Sequence, residues 1–290
     1  MRVALPTPPF DCESLTGSFG FRVPPPFVTL LNALCQDCGS AEAAYERAYE
    51  SVGWLLAGDD QRYQQTPPEL FPIAATGVDG GHFGYVIHAP ELTASDYPIA
   101  QFEPMESGGA YLLGTSTFEA VETLLSTSII EEQRYGYGWP LRPSNEWWPE
   151  VCARLRHLGI EPDPAKAGRN YEGGDGKPVV PTVLDGWHHV PSSDGIGVLA
   201  PATQFHPAVL RSMVDRPNVS LVLEAASRHA ADRFPATALW LLRECYWHTW
   251  SRQDDGTIAL CRAMIDSYHS LGRPCLAAVM DRRIAMLRRR

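Results

Sequence analysis

Hydrophobic spacing changes period in the first half of this chain, and few architectures accommodate the change. Phe27, Leu30, Leu31, Leu34, Cys35 and Cys38 recur at three- and four-residue steps, which places them on one face of a helix beginning near Pro26. Gly39 stops it. Ser40 caps a second helix, whose apolar stripe is Tyr45, Ala48, Tyr49, Val52, Leu55 and Leu56. The period then drops to two. Residues 70–75 and 82–88 read as strands around the loop 77–81, with Phe83, Tyr85 and Ile87 alternating against His82, Val86 and His88. Residues 97–102 and 110–113 add two short strands. Ser116 and Glu119 have capping-box spacing and open a helix with Phe118, Val121, Leu125 and Ile129 inward. Two helices, an antiparallel meander and a closing helix make an α+β domain over residues 1–135, with helices on one face of the sheet. Residues 10–21 read as a Pro/Gly/Ser-bearing arm leading into it.

Charge is as uneven as the spacing. Residues 1–130 hold sixteen acidic side chains and four basic ones (Arg2, Arg22, Arg47 and Arg62), a net −12, whereas residues 131–290 sit at +2. A field of this sign attracts cationic surfaces, speeds encounter with them and repels nucleic acid. Within it, Glu42, Glu46 and Glu50 stand four residues apart on the second helix, where like charges repel. A stripe that costs stability points to use.

The 290 residues suit one large or two modest domains, and 44% hydrophobic content is ordinary for a globular chain. The opening MRVALPTPPF places prolines where a signal peptide or membrane anchor needs an apolar run, and no later segment has the length of a spanning helix. Seven scattered cysteines, an odd number, predict reduced thiols and a cytoplasmic protein.

In the second half, RYGYGWPLR (134–142) reads as a domain boundary. Ser144 or Asn145 caps a helix through Trp147, Trp148, Val151, Cys152, Leu155 and Leu158, ended by Gly159. Strands at 179–184 and 196–200 and a short helix at 207–214 follow. Residues 136–215 could extend the first domain's sheet or form a small module of their own; with few apolar positions for an independent core, the former is expected. From Asn218 the chain reads helical, with segments opening at Phe234-Pro235, after Gly256 and at Pro274. The run IDSYHSLGRPCLAAVMDRR (265–283) is similar to part of a tetratricopeptide repeat. Such arrays need about three repeats to bury their faces, so residues 216–290 are expected to form a helical bundle, with a solenoid as the alternative.

Three stretches of the first domain carry a resemblance. FGFRVPPPFVTLLNAL (19–34) resembles the opening of the SUKH superfamily, with Val23-Pro24 where Leu-Pro is usual. ELFPIAATGVDGGHFGYVIH (69–88) is similar to that family's two central strands and their Gly/Asp turn. AYLLGTSTFEAVETLL (110–125) resembles its last strand and following helix. The resemblance covers residues 15–130. It implies a protein-binding fold, found in fungal cell-wall-synthesis regulators and in bacterial immunity proteins that neutralise toxins, and it implies no enzymatic activity.

Candidate chemistry elsewhere has a plainer reading. Cys35 and Cys38 have metal-pair spacing, but no second pair follows and both fall on an apolar helix stripe, so they are expected to pack. Gly173-Gly174-Asp175-Gly176-Lys177 lacks both the leading glycine and the Ser/Thr of a phosphate loop, since Tyr171 and Pro178 stand there. His188, His189 and Asp194 near Trp187 could be drawn as acid–base groups, yet neighbouring histidines on a strand point to opposite faces. His82 and His88 are six residues apart, too far to grip one ion. Cys245 and His248 read as core. Trp139, Trp147, Trp148 and Trp187 are expected to pack between the halves.

The resulting expectation is a non-enzymatic, cofactor-free module that binds another protein with a basic surface, a nuclease-type toxin being one such partner, and blocks it by occupancy. It binds neither nucleic acid nor membrane. Its contact residues are Glu42, Glu46, Glu50, Asp59, Asp60 and Asp79. The alternative is a scaffold or regulator acting through its helical C-terminal region.

Overall fold

Three prolines set the start of the first long helix. In the computed structural model, which describes residues 3–77, 79–105, 109–136, 143–165, 184–207 and 218–288, helix α2 (Pro25–Cys35) begins at consecutive prolines following Pro24. The first-turn N–H groups that proline lacks have no intrahelical partner in any case. Ahead of it, α1 (Cys12–Phe19) occupies the stretch expected to be an arm. Asp11 caps it by accepting the Ser14 N–H at 2.8 Å, Gly20 closes it at φ 75°, and Leu15 and Phe19 are buried. That Asp–Gly frame is the signal the periodicity missed, because two turns leave little stripe to read.

Ser40 caps α3 (Ala41–Val52) as expected, its hydroxyl accepting the Ala43 N–H at 3.2 Å. Gly53 then ends the helix at φ 71°. Leu55 and Leu56 therefore leave the helical stripe assigned to them and form a short strand, β1 (Leu55–Leu56). A left-handed glycine outranks the periodicity on its far side.

The sheet is a five-stranded antiparallel meander in the order β1, β2 (Leu70–Ala75), β3 (His82–Val86), β4 (Ile99–Phe102) and β5 (Ala110–Gly114). Its β2–β3 register shifts between Pro72 and Ala74, where proline has no N–H for the ladder. Every residue of β3 is buried. The alternation of residue types at 82–88 thus does not mark an inside and an outside.

Helix α4 (Thr117–Tyr135) packs on β5. Its capping box is displaced by one residue: Ser116 accepts the Glu119 N–H at 3.3 Å, but the Glu119 carboxylate turns to the Thr115 N–H at 2.8 Å. Helix α5 (Trp148–Arg156) packs on α2. Neither Ser144 nor Asn145 caps it by side chain; the Ser144 N–H instead donates to Glu132 at 2.8 Å. Arg154 ties α5 to the end of α2 through Asp37 and the Leu34 carbonyl, and is steadied by Glu150 one turn back on its own helix. Helix α5 belongs to the same compact unit as the sheet.

That first unit comprises residues 1–63, 70–86 and 94–177. The second comprises 64–69, 87–93 and 178–290. In it, β6 (Trp187–Val190) and β7 (Val198–Pro201) pair with each other in a separate two-stranded sheet. They do not extend the five-stranded sheet, as had been expected of residues 136–215. Their partners are local because one turn joins them, and β7 packs on α7 (Pro235–Thr249). The expected strand at 179–184 and helix at 207–214 lie largely or wholly outside the described residues.

The C-terminal region is all helical: α6 (Val219–Ala231), α7, α8 (Asp255–Ser270) and α9 (Pro274–Leu287), each packed on the next. Asn218 and Asp254 cap α6 and α8 by accepting the Leu221 and Thr257 N–H groups. Pro235 and Pro274 open α7 and α9. The architecture is thus α+β followed by a helical region.

Candidate protein-binding surface

Helix α3 exposes Glu42, Glu46 and Glu50 in one file. The same helix carries Tyr45, which is buried, and Tyr49, which is 47% exposed. Four-residue spacing stacks each series along the helix.

Beside this helix lies a groove of about 520 Å³. Its walls include Tyr45, Glu46 and Tyr49 from α3, Leu55 and Leu56 of β1, and Tyr63, which is 42% exposed. The glycines of the loop 77–81 complete the rim. They are there for room. A Cβ at Gly80 would run into the Tyr63 phenol, one at Gly81 into the Glu103 carboxylate, and one at Gly77 would sit 2.9 Å from the Leu55 methyl. His82 braces this loop, its Nδ1 within 3.0 Å of the Gly80 carbonyl, with its ring stacked on Tyr63 at 6.2 Å and 14°. Burial pushes the His82 pKa down to about 4, so the ring is neutral at pH 7.

The six expected contact residues do not behave alike. Glu46 lines the groove, and Glu42 and Glu50 are exposed one turn to either side. Asp79 is exposed in the glycine loop at φ 48°, a conformation that aspartate tolerates better than most residues. Asp60 is exposed on the turn Asp59–Gln61. Asp59 is engaged inside the unit: it pairs with Arg62, whose buried guanidinium lies 5.2 Å from the Phe71 ring centroid. What periodicity missed was the tyrosines. Tyr45 and Tyr49 read as core stripe, although only the first is buried.

Cys35 is buried, with its thiol 3.7 Å from the Ala44 carbonyl and its pKa raised by burial to about 12. Cys38 lies beyond the end of α2, and both thiols are free. No group of three or more His, Cys, Asp and Glu could hold a metal ion among the described residues. The loop 173–177 and Trp139 lie outside the described residues. Trp147 and Trp148 have ring centroids 6.4 Å apart, and the Arg273 guanidinium lies 5.9 Å from the centroid of Trp187. Cys245 is core, but His248 is exposed.

Of His188, His189 and Asp194, only Asp194 belongs to a buried framework in the second unit; His189 is half-buried and His188 exposed. Asp194 accepts from Arg243 Nε at 3.0 Å and from the Ile196 N–H at 3.0 Å. His189 Nε2 lies 2.9 Å from the Ile196 carbonyl, while the His188 ring stacks edge-on with Phe205. Arg243 also meets Glu69 at 2.9 Å, and Tyr268 donates to the same Glu69 oxygen at 2.7 Å. Burial opposes the ionised form of Asp194, but the Arg243 charge and the donated hydrogen bonds hold its pKa below 3.8. His88 and His189 have ring centroids 5.5 Å apart, and neither nitrogen of the buried His88 has a hydrogen-bond partner among the described residues. Glu69, His88, Asp194, Arg243 and Tyr268 are all buried, which suits holding segments 64–69 and 87–93 in place. No local pattern announces such pairings.

No helix among the described residues is long and apolar enough to cross a membrane. No protein-family model matches the chain, and no curated protein is significantly similar to it.

Proposed function

We propose that the first unit is a SUKH-like protein-binding module that engages a partner with a basic surface, a nuclease-type toxin being the expected kind, and neutralises it by occupancy. The observation that carries this reading is the exposed file of Glu42, Glu46 and Glu50 beside a groove walled by half-exposed tyrosines. Tyrosine anchors protein interfaces because its ring buries area with little loss of side-chain freedom. The surrounding carboxylates supply encounter rate and select for positive charge. The family resemblance of residues 15–130 supplies the functional class. The buried cluster of Glu69, Asp194 and Arg243 in the second unit gives no support to an enzymatic reading.

Affinity capture with the full chain and a Glu42→Lys, Glu46→Lys, Glu50→Lys variant tests this. The expected result is a strongly basic protein retained by the native chain at low salt, released at high salt and absent from the variant. That protein's toxic activity should then fall when one equivalent of the native chain is added. Capture unaffected by the triple reversal would overturn the assignment of the contact face.

A further inference from the structure

We propose that the groove beside α3 receives an arginine side chain of the basic partner, with its guanidinium over the tyrosine rings and paired with Glu46. This deepens the protein-binding reading and rests on it. The groove, at about 520 Å³, lies within the ~300–1,000 Å³ range of pockets that take discrete ligand groups. It has room for a long side chain and some of the backbone that presents it.

The lining selects among occupants. Leu55 and Leu56 offer apolar contact to an aliphatic stem. Tyr49 and Tyr63 leave about half of each side chain to solvent, and aromatic faces attract cations through the ring quadrupole. Glu46 is the only charged residue among the described lining residues. Its neighbourhood has little positive charge of its own: there is no lysine in residues 1–130, Arg62 is turned inward to Asp59, and Arg47 reaches Glu150 at 3.7 Å. The neutral ring of His82 adds none at pH 7. An anion would meet Glu46, and a purely apolar group would leave that carboxylate unused. A planar cation satisfies both surfaces. Arginine does so better than lysine because its guanidinium stacks flat and presents a fork to the carboxylate.

The test uses the full chain, with tyrosine-ring signals followed by NMR during titration with acetyl-Gly-Arg-Gly-amide. Parallel titrations use the lysine peptide and the citrulline peptide, which keeps the shape and lacks the charge. The expected result is saturable shifts at Tyr49 and Tyr63 with the arginine peptide, binding about fivefold weaker with lysine, and none with citrulline. Glu46→Gln and Tyr49→Ala, both at exposed positions, should each weaken arginine binding about fivefold. Citrulline binding as well as arginine, or arginine binding unchanged in both variants, would overturn the inference. If only Glu42→Lys and Glu50→Lys remove peptide binding, the acidic face stands and the groove assignment falls. If the arginine peptide binds as expected but no basic protein is captured, the groove stands and the protein-binding reading falls.

Discussion

Arg243 shows at the scale of one residue what a buried charge commits a chain to. It is 3% exposed and faces two carboxylates, Asp194 and Glu69. Replacing it with methionine keeps much of the volume but strands both acids in a low-dielectric interior. Loss of one partner of a buried ion pair costs about 3–5 kcal/mol. Arg243→Met is therefore expected to lower the urea midpoint more than any single substitution at Glu42, Glu46 or Glu50, and equilibrium unfolding measures this. Histidines set the response to acid. Burial holds the folded-state pKa of His82 at about 4 and that of His88 well below 6.5, with His189, Arg243 and Arg273 adding repulsion at His88. The unfolded chain binds protons that these folded residues refuse, so their contribution to stability is complete above about pH 6.5 and shrinks as pH falls. For His82 alone the loss at pH 5 is on the order of 2 kcal/mol. Asp194, depressed below 3.8, keeps its contribution until the pH falls further. Unfolding at pH 7 and pH 5 should show this slope, and His88→Leu should flatten it whatever it does to absolute stability. A slope unchanged in that variant would remove His88 from the account.

At the scale of elements, glycines decide where helices and strands stop. Gly114 ends β5 so close to the start of α4 that a Cβ there would strike the Ala120 nitrogen and approach the Glu119 carbonyl carbon to 2.7 Å. Backbone cannot swing aside as a side-chain tip can, so Gly114→Ala should cost about 1–3 kcal/mol, read as a fall in melting temperature. Helix α3 makes the opposite case. It ends with no basic residue in its last turn and carries Glu46 and Glu50 one turn apart. Glu50→Lys turns a repulsive pair into an attractive one and places positive charge at the helix C-terminus. Stability is expected to rise slightly while affinity for the basic partner falls, and a melting curve beside a binding titration would separate the two effects. Much of the element order was legible because caps and stops are local chemistry. Ser40 and Ser116 each cap the helix expected after them, and the helical reading from Asn218 starts at the residue that caps α6. The helix expected after Gly256, by contrast, opens one residue before it, on the Asp254 cap. The errors arose where a stripe was read past a stop, as at Leu55, or where a helix was too short for a stripe, as at α1. Of the candidate surface, the glutamate file was legible and the groove was not. It depends on Tyr63 and the glycine loop approaching α3 from other parts of the chain.

For the whole molecule, the uneven charge is a statement about rates. With −12 on residues 1–130, association with a cationic partner is expected to slow by about tenfold or more between low and physiological salt. Dissociation should change less, and stopped-flow mixing separates the two. The chain's path between its compact units carries a different consequence. Segments 64–69 and 87–93 leave the first unit's sequence to join the second, where Glu69 meets Tyr268 across 199 positions of chain. A ribosome adding about 5–20 residues per second needs roughly ten to forty seconds to cover that distance. Throughout that interval Glu69 has yet to meet the Tyr268 hydroxyl. The buried acid therefore gains its full set of partners only once helix α8 has been made.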